Sequence, residues 1–260
     1  MTFSKDRFLN YKSYTDPFPI IEITNFLSKE EAQLSCEMLD KADFDEIVME
    51  NRKNIRKGTE IFKKFLIKNK IMNDLYKFFN NEKQYEYWLE KLISLSNESK
   101  LEYKLLSRPK NFREEYYAYK NTVHNKSLIK KILNFVSKKF SNIYQKLHEF
   151  YFFDMVFAVA GKGYKMKTHA DKPTRIIVFL LYLNNLNEDE GGGLEIYSRQ
   201  NDNEELTIHH KFKPEAGKLI VFLSNPISFH NVEEMRKDLT SRKFIYASYT
   251  SGSKLNWLKS

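Results

Sequence analysis

Two histidines and one aspartate in the last two-fifths of the chain have the types and spacing of a metal site. His169 and Asp171 form a His-x-Asp triplet before an apolar run, and side chains two residues apart on extended backbone point to the same side. His230 follows a second apolar run, 59 residues after Asp171. If the two runs are neighbouring strands, these three side chains meet at one ion. Two histidines and one carboxylate are the facial triad that suits non-haem Fe(II) and leaves coordination positions open.

The triplet alone is a weak signal, because a chain with six histidines often contains one His-x-Asp by chance. By itself it is more typical of a surface histidine beside a turn aspartate. The residues that follow it in order favour the metal interpretation. They are Gly192-Gly193-Leu194, Pro214 to Phe222, His230-Asn231-Val232 and Arg242, which leads a β-run. The other histidines are interpreted as surface or packing residues: His124, His148, His209 and His210.

This ordered set resembles the prolyl-hydroxylase-like branch of the 2-oxoglutarate and Fe(II)-dependent dioxygenases, over roughly Asp154 to Ser251. The resemblance implies that His169, Asp171 and His230 hold Fe(II). It also implies 2-oxoglutarate and O₂ as cosubstrates, with ascorbate left open as a further cofactor. The implied reaction hydroxylates a primary substrate and releases succinate and CO₂.

The resemblance further assigns two residues to the cosubstrate. It implies that Arg242 holds the far carboxylate of 2-oxoglutarate and that Tyr182 hydrogen-bonds the same group. A guanidinium suits a carboxylate because it offers two parallel N–H donors. Arg236 is an alternative, but it lies in a polar loop, and groups on strands are better fixed. The sequence departs from some relatives at Val159-Ala160, where those proteins carry Tyr-Pro.

Hydrophobic periodicity predicts the elements that must position these residues. Before about residue 150 the pattern is helical, and after it short β-runs alternate with turns. We predict an α+β fold with a C-terminal double-stranded β-helix, or jelly roll, as catalytic core over residues 151–253. A mostly helical N-terminal region, 1–150, packs on this core, its first strand and helix at about 18–41, and 254–260 form a tail. The expected core strands are Phe152–Val159, Arg175–Leu183, Leu194–Tyr197, Lys218–Leu223 and Lys243–Thr250.

Four stretches of the N-terminal region are predicted to be helical. Ser28 and Glu31 form a capping box that opens a helix to about Lys41. Residues 60–80 and 84–95 show apolar side chains at helical spacing. Ser127 is a candidate N-cap for a long helix to about Phe150.

Composition excludes several classes of protein. With 42% apolar residues the chain can bury a core, and with one cysteine it has no intrachain disulfide or cysteine-pair zinc site. The first ten residues do not read as a secretory signal, and the longest apolar run, Ile176 to Leu183, is too short to span a membrane. We therefore expect a soluble, cytoplasmic protein.

The formal charge of +9 is unevenly distributed. Residues 1–50 hold 5 Lys/Arg against 11 Asp/Glu, residues 51–150 hold 23 against 10, and residues 151–260 hold 15 against 13. The middle segment is either a solvated helical surface or a surface for an anionic partner. Two alternative functions follow: a non-catalytic jelly-roll module that binds an anionic partner, and an alkylated-nucleic-acid demethylase. Nucleic acid is not the favoured partner. The sequence leaves the oligomeric state and the primary substrate open, with a peptidyl residue or a small metabolite as candidates.

Overall fold

The structure is a computed structural model, and it describes most of the chain. The described ranges are 5–8, 10–45, 50–98, 103–105, 108–116, 150–199, 204–255 and 257–259. The helix predicted from Ser127 to about Phe150 falls on residues 127–149, outside these ranges, as do His124 and His148. Phe150 itself begins a strand.

The described residues form fourteen strands and four α-helices. The strands are β1 Lys12–Tyr14, β2 Ile20–Ile23, β3 Arg52–Arg56, β4 Tyr103–Leu105, β5 Asn111–Phe112, β6 Phe150–Ala160, β7 Met166–His169, β8 Arg175–Tyr182, β9 Leu194–Ser198, β10 Thr207–Phe212, β11 Leu219–Leu223, β12 His230–Val232, β13 Arg242–Ser251 and β14 Trp257–Lys259. The helices are α1 Lys29–Asp40, α2 Glu60–Lys68, α3 Lys70–Phe79 and α4 Glu82–Glu98.

The strands build two facing sheets and one small ribbon. The major sheet has the order β1-β2-β11-β8-β13-β6-β3, with β5 also paired to β6, and the minor sheet has the order β10-β9-β12-β7. From β6 to β13 the chain passes back and forth between the two sheets, and every pairing among these strands is antiparallel. This winding is a double-stranded β-helix. The predicted α+β fold with a jelly-roll core is therefore confirmed.

The major sheet is buried on both faces, which explains why β8 reads as an unbroken apolar run. Its outer face packs on the helices, where Trp88 of α4 and Phe79 of α3 contact Phe179 of β8. Its inner face shares a second apolar cluster with the minor sheet, including Val178 and Leu194. The space between the sheets holds the candidate site.

The helices begin and end where the sequence supplies caps. The Ser28 hydroxyl accepts a hydrogen bond from the Glu31 N–H, and the Glu31 carboxylate accepts one from the Ser28 N–H, so the predicted capping box is confirmed. The helical pattern over 60–80 divides into α2 and α3 at Asn69, whose backbone is extended. The Asn69 amide donates to the Phe65 carbonyl at 2.7 Å, a local bond that competes with helix continuation. Of the described helices, none has both the length and the apolar content to cross a membrane.

The N-terminal region contributes strands as well as helices to the core. β2 pairs with β11, and β3 pairs with β6, so both extend the major sheet. In the tail, β14 pairs with β4. The division of the chain into an N-terminal region, a core and a tail at residues 150 and 253 stays a prediction. Strand pairs join residues on the two sides of both boundaries.

Candidate active site

Neighbouring strands of the minor sheet bring the two histidines together. His169 is the last residue of β7 and His230 the first of β12, and the antiparallel register pairs them directly. Their ring centroids are 4.5 Å apart. Asp171 follows β7 by two residues, and one ligand atom from each of the three side chains lies within 4.8 Å of the others. The structure therefore brings the predicted triad to one point.

Main-chain hydrogen bonds fix both imidazoles with the same nitrogen free. Nδ1 of His169 lies 2.8 Å from the Lys167 carbonyl oxygen, and Nδ1 of His230 lies 2.8 Å from that of Ser228. Because a carbonyl only accepts, each Nδ1 carries the hydrogen and each Nε2 presents its lone pair. Burial lowers the pKa of His230, which favours the neutral form that binds metals.

The carboxylate of Asp171 has one occupied and one unsatisfied oxygen. Oδ1 pairs with the guanidinium of Arg175. Oδ2 is buried, 3.8 Å from Nε2 of His230, and has no hydrogen-bond partner among the described residues. An unsatisfied buried carboxylate oxygen is costly unless a cation compensates it. Two neutral imidazoles and this oxygen fit Fe(II) bound by a facial triad.

Arg242 supplies the complementary, positively charged end of the site. It is 1% exposed, and none of its three guanidinium nitrogens has a hydrogen-bond partner among the described residues. Its Cζ lies 4.1 Å from the ring centroid of Phe244. A buried guanidinium without a counter-ion is a binding site for an anion, and its fork suits a carboxylate.

Tyr182 lies beside Arg242 but does not line the cavity. Its ring centroid is 5.2 Å from the Arg242 Cζ, and its buried hydroxyl has no hydrogen-bond partner in the part of the chain that the structure describes. Burial raises the pKa of Tyr182, while the nearby guanidinium acts in the opposite direction. The phenol is therefore a neutral donor, and its predicted bond to 2-oxoglutarate stays a prediction.

The triad and Arg242 face one cavity of about 430 Å³ between the sheets. Its apolar wall comes from both sheets and includes Val178, Leu180 and Phe222. Arg236 is not part of it: this side chain is half exposed and bonds to the carbonyl of Glu188, between β8 and β9, and to the carboxylate of Glu233, in the loop before β13. Of the two arginines that the sequence offers as anchors of 2-oxoglutarate, Arg242 therefore lines the cavity and Arg236 does not.

Several polar side chains of the cavity are not among the site residues predicted from the sequence. Arg52, Arg56, Lys57, Asp154, Tyr164 and Arg175 line it. Hydrophobic periodicity does not predict β3, because its inward side chains are polar, but the basic residues four apart at Arg52 and Arg56 fit one face of a strand. Burial lowers the pKa of Lys57 to about 8 and raises that of Asp154.

Solved structures similar to the chain include three prolyl hydroxylases. The enzyme from Pseudomonas putida shares 14% identity at a TM-score of 0.44, covering 90% of this chain and 93% of its own. The viral collagen prolyl hydroxylase from Paramecium bursaria Chlorella virus-1 shares 13% at 0.44, covering 90% and 96%. The enzyme from Trichoplax adhaerens shares 18% at 0.44, covering 89% and 83%.

A family model identifies the segment that carries the site. The model of the 2OG-Fe(II) oxygenase superfamily matches residues 155–250, which run from β6 to β13. No curated protein sequence matches the chain. The matched segment contains His169, Asp171, His230 and Arg242. Through this segment the chain is similar to the 2OG-Fe(II) oxygenase superfamily, whose members are oxidoreductases that use Fe(II) and 2-oxoglutarate.

Proposed function

We propose that the protein hydroxylates its substrate, with His169, Asp171 and His230 as iron ligands and Arg242 as the anchor of 2-oxoglutarate. The observation that carries the proposal is one cavity with an unsatisfied carboxylate oxygen and two free imidazole nitrogens at one place and an unpartnered guanidinium at another. A divalent cation would compensate the first group, and a carboxylate of 2-oxoglutarate would pair with the second.

The chain's own residues position the carboxylate of Asp171, orient the cosubstrate and shield the reacting groups from water. Arg175 holds Oδ1 of Asp171, so that Oδ2 points to the histidines. Arg242 fixes the far end of the cosubstrate, and the apolar wall excludes water from the reacting groups. When bound, Fe(II) supplies the redox chemistry that couples O₂ and the decarboxylation of 2-oxoglutarate to substrate oxidation.

Asp171 favours hydroxylation over halogenation. With iron bound by the triad, its carboxylate would take the ligand position that a halide would need. A halogenating enzyme of this chemistry requires that position to be free. The expected products are therefore a hydroxylated substrate, succinate and CO₂.

The proposal is tested by succinate formation from 2-oxoglutarate with Fe(II) and O₂. We expect His169→Ala to abolish it, because one of three iron ligands is lost. His209→Ala is the matched control, since His209 is exposed on β10 and outside the cavity. Unchanged succinate formation by His169→Ala would sink the assignment of the triad.

We also propose a reducing, cytoplasmic compartment. Cys36 is partly buried, and its thiol donates to the Leu183 carbonyl at 3.1 Å. Burial raises the pKa of this thiol to about 11, so it stays protonated. Cell fractionation tests the location, and recovery of the protein from an oxidising, extracytoplasmic fraction would contradict it.

A further inference from the structure

The cavity contains more positive charge than its metal and cosubstrate can balance. Among the described residues, its charged lining consists of six basic and two acidic side chains: Arg52, Arg56, Lys57, Lys172, Arg175 and Arg242 against Asp154 and Asp171. Fe(II) and the 2-oxoglutarate dianion carry equal and opposite charges, so loading both leaves the excess unchanged. Lys172 is exposed and Arg52 bonds to Asn54 and Tyr164, so the charges that call for an anionic partner are those of the partly buried Arg56 and the buried Lys57.

The basic side chains fall into two sets along β6. Arg52 and Arg242 both stand opposite Ala160, whereas Arg56 stands opposite Val156, four residues away along the same strand. At about 3.3 Å per residue, this separates the sets by about 13 Å. The carbon chain of 2-oxoglutarate, with bonds of about 1.5 Å, is too short to span that distance. A cosubstrate anchored on Arg242 is therefore not long enough to reach from the strand position of Arg242 to that of Arg56.

We call Arg56, Lys57, Lys172 and Arg175 the second basic set. Nε of Arg56 is buried without a hydrogen-bond partner among the described residues. Lys57 is 4% exposed, and its ammonium donates to Asn80 Oδ1 at 3.1 Å and to the carbonyls of Glu114 and Phe153 at 2.9 and 2.8 Å. All three acceptors are neutral, so they hold the ammonium in place without compensating its charge.

The described carboxylates near the second basic set leave it with a net positive charge. Asp171 pairs with Arg175 and is assigned to the metal. Asp45 accepts from the backbone N–H of Arg56 rather than from its guanidinium. The side chains of Glu114 and Glu115 are exposed and outside the cavity lining. Asp154 alone among the described lining residues faces the set, one carboxylate against several cations.

We propose that the primary substrate is a small molecule with a carboxylate or phosphate group, which Arg56 binds beside the iron site, while Lys57, whose three donors are used within the protein, adds only its charge. The inference rests on the proposed function and adds the substrate class. A cavity of about 430 Å³ lies in the range of small-ligand sites. Arg175 connects the second basic set to the metal site, since it pairs with Asp171. It also stacks on Tyr246, with its Cζ 4.8 Å from the ring centroid.

The test measures anion binding to the protein loaded with Mn(II) and saturating 2-oxoglutarate. Inorganic phosphate and acetate are the probes, and their ³¹P and methyl ¹H relaxation reports proximity to the paramagnetic metal. We expect saturable binding of at least one anion. Arg56→Gln should raise its Kd about tenfold or more, because a charge-assisted bond is lost. Arg56→Lys should raise this Kd less than Arg56→Gln does, and the affinity for 2-oxoglutarate should not change in either variant.

Arg236→Gln is the matched control, because Arg236 is an arginine outside the cavity. Tighter phosphate binding assigns a phosphate-bearing substrate, and tighter acetate binding assigns a carboxylate. Absence of saturable binding, or an unchanged Kd in Arg56→Gln, overturns the inference while the proposed function stands. If neither Mn(II) nor 2-oxoglutarate binds, the proposed function fails and the inference fails with it.

Discussion

At the scale of single residues, the site consists of polar atoms that the folded chain leaves uncompensated. Oδ2 of Asp171 and the guanidinium nitrogens of Arg242 are buried and have no hydrogen-bond partner among the described residues, although Oδ1 of Asp171 pairs with Arg175. Since unsatisfied buried polar atoms destabilise a protein, ligands of opposite charge explain their retention.

Arg242→Lys tests the anchoring role of the guanidinium fork. Lysine keeps the charge but offers no bidentate geometry, so we expect the KM for 2-oxoglutarate to rise about 10- to 100-fold. Steady-state succinate formation at varied 2-oxoglutarate measures this. Arg236→Lys is the control and should behave like the native protein, because this arginine lies outside the cavity and bonds to Glu188 and Glu233. The reverse pattern would move the anchor to Arg236.

Residue types and spacing, together with the family resemblance, pointed to the triad and Arg242, and the roles of these residues stay predictions. Types and spacing were not enough to find Arg56 and Lys57. Basic residues are common in the segment 51–150, and the sequence of this segment does not distinguish a solvated lysine from Lys57, which is 4% exposed. Only the pairing of β3 with β6 makes that distinction.

At the scale of elements, strand register determines which side chains meet. β13 pairs with β6 over its whole length, so Arg242, Phe244 and Tyr246 point to the cavity from one face. The glycine-rich connection before β9 packs against this strand. Gly192 has φ +77°, and a Cβ there would lie 2.6 Å from Met235 Sδ and 3.2 Å from Arg242 Cδ.

Gly192→Ala should therefore disturb both folding and cosubstrate binding. The positive φ and the close contacts predict a loss of about 2 kcal/mol in the free energy of unfolding, with weaker 2-oxoglutarate binding because Arg242 must shift. Urea unfolding and equilibrium binding measure the two effects. Gly161→Ala is the control, because a Cβ at Gly161 meets nothing within 4 Å. Equal behaviour of the two variants would contradict this role of Gly192.

The elements show where sequence patterns work and where they fail. Long apolar runs predicted β6, β8, β11 and β13 to within a few residues. The pattern over 60–80 did not reveal the break at Asn69, since apolar spacing continues across it and a side-chain bond to Phe65 ends the helix. β3 was not predicted because a strand that lines a polar cavity lacks apolar alternation.

At the scale of the whole molecule, charge and catalysis occupy different parts of the chain. Residues 51–150 carry an excess of 13 positive charges, and residues 151–260 carry an excess of 2. Yet β3 brings two members of that segment, Arg56 and Lys57, into the cavity. The excess therefore includes both solvated lysines and residues of the site.

Exposed lysines of α2 should have no part in the reaction with 2-oxoglutarate. Lys63 pairs with Glu60 in solvent, and neither Lys63 nor Lys64 lines the cavity. We expect Lys63→Glu and Lys64→Glu to keep substrate-free 2-oxoglutarate turnover within about twofold of the native rate, since exposed pairs contribute little. Succinate release measures this. A large loss in either variant would show that the basic helical surface is part of the site.

We propose that His169, Asp171 and His230 would hold one Fe(II) beside the binding position of 2-oxoglutarate. Anaerobic metal analysis, combined with visible absorption spectroscopy, tests this proposal. We expect one Fe(II) per chain and a new visible band on addition of 2-oxoglutarate, both lost in His169→Ala. A protein that binds no stoichiometric iron, or a His169→Ala variant with the same iron content and the same band, would contradict it.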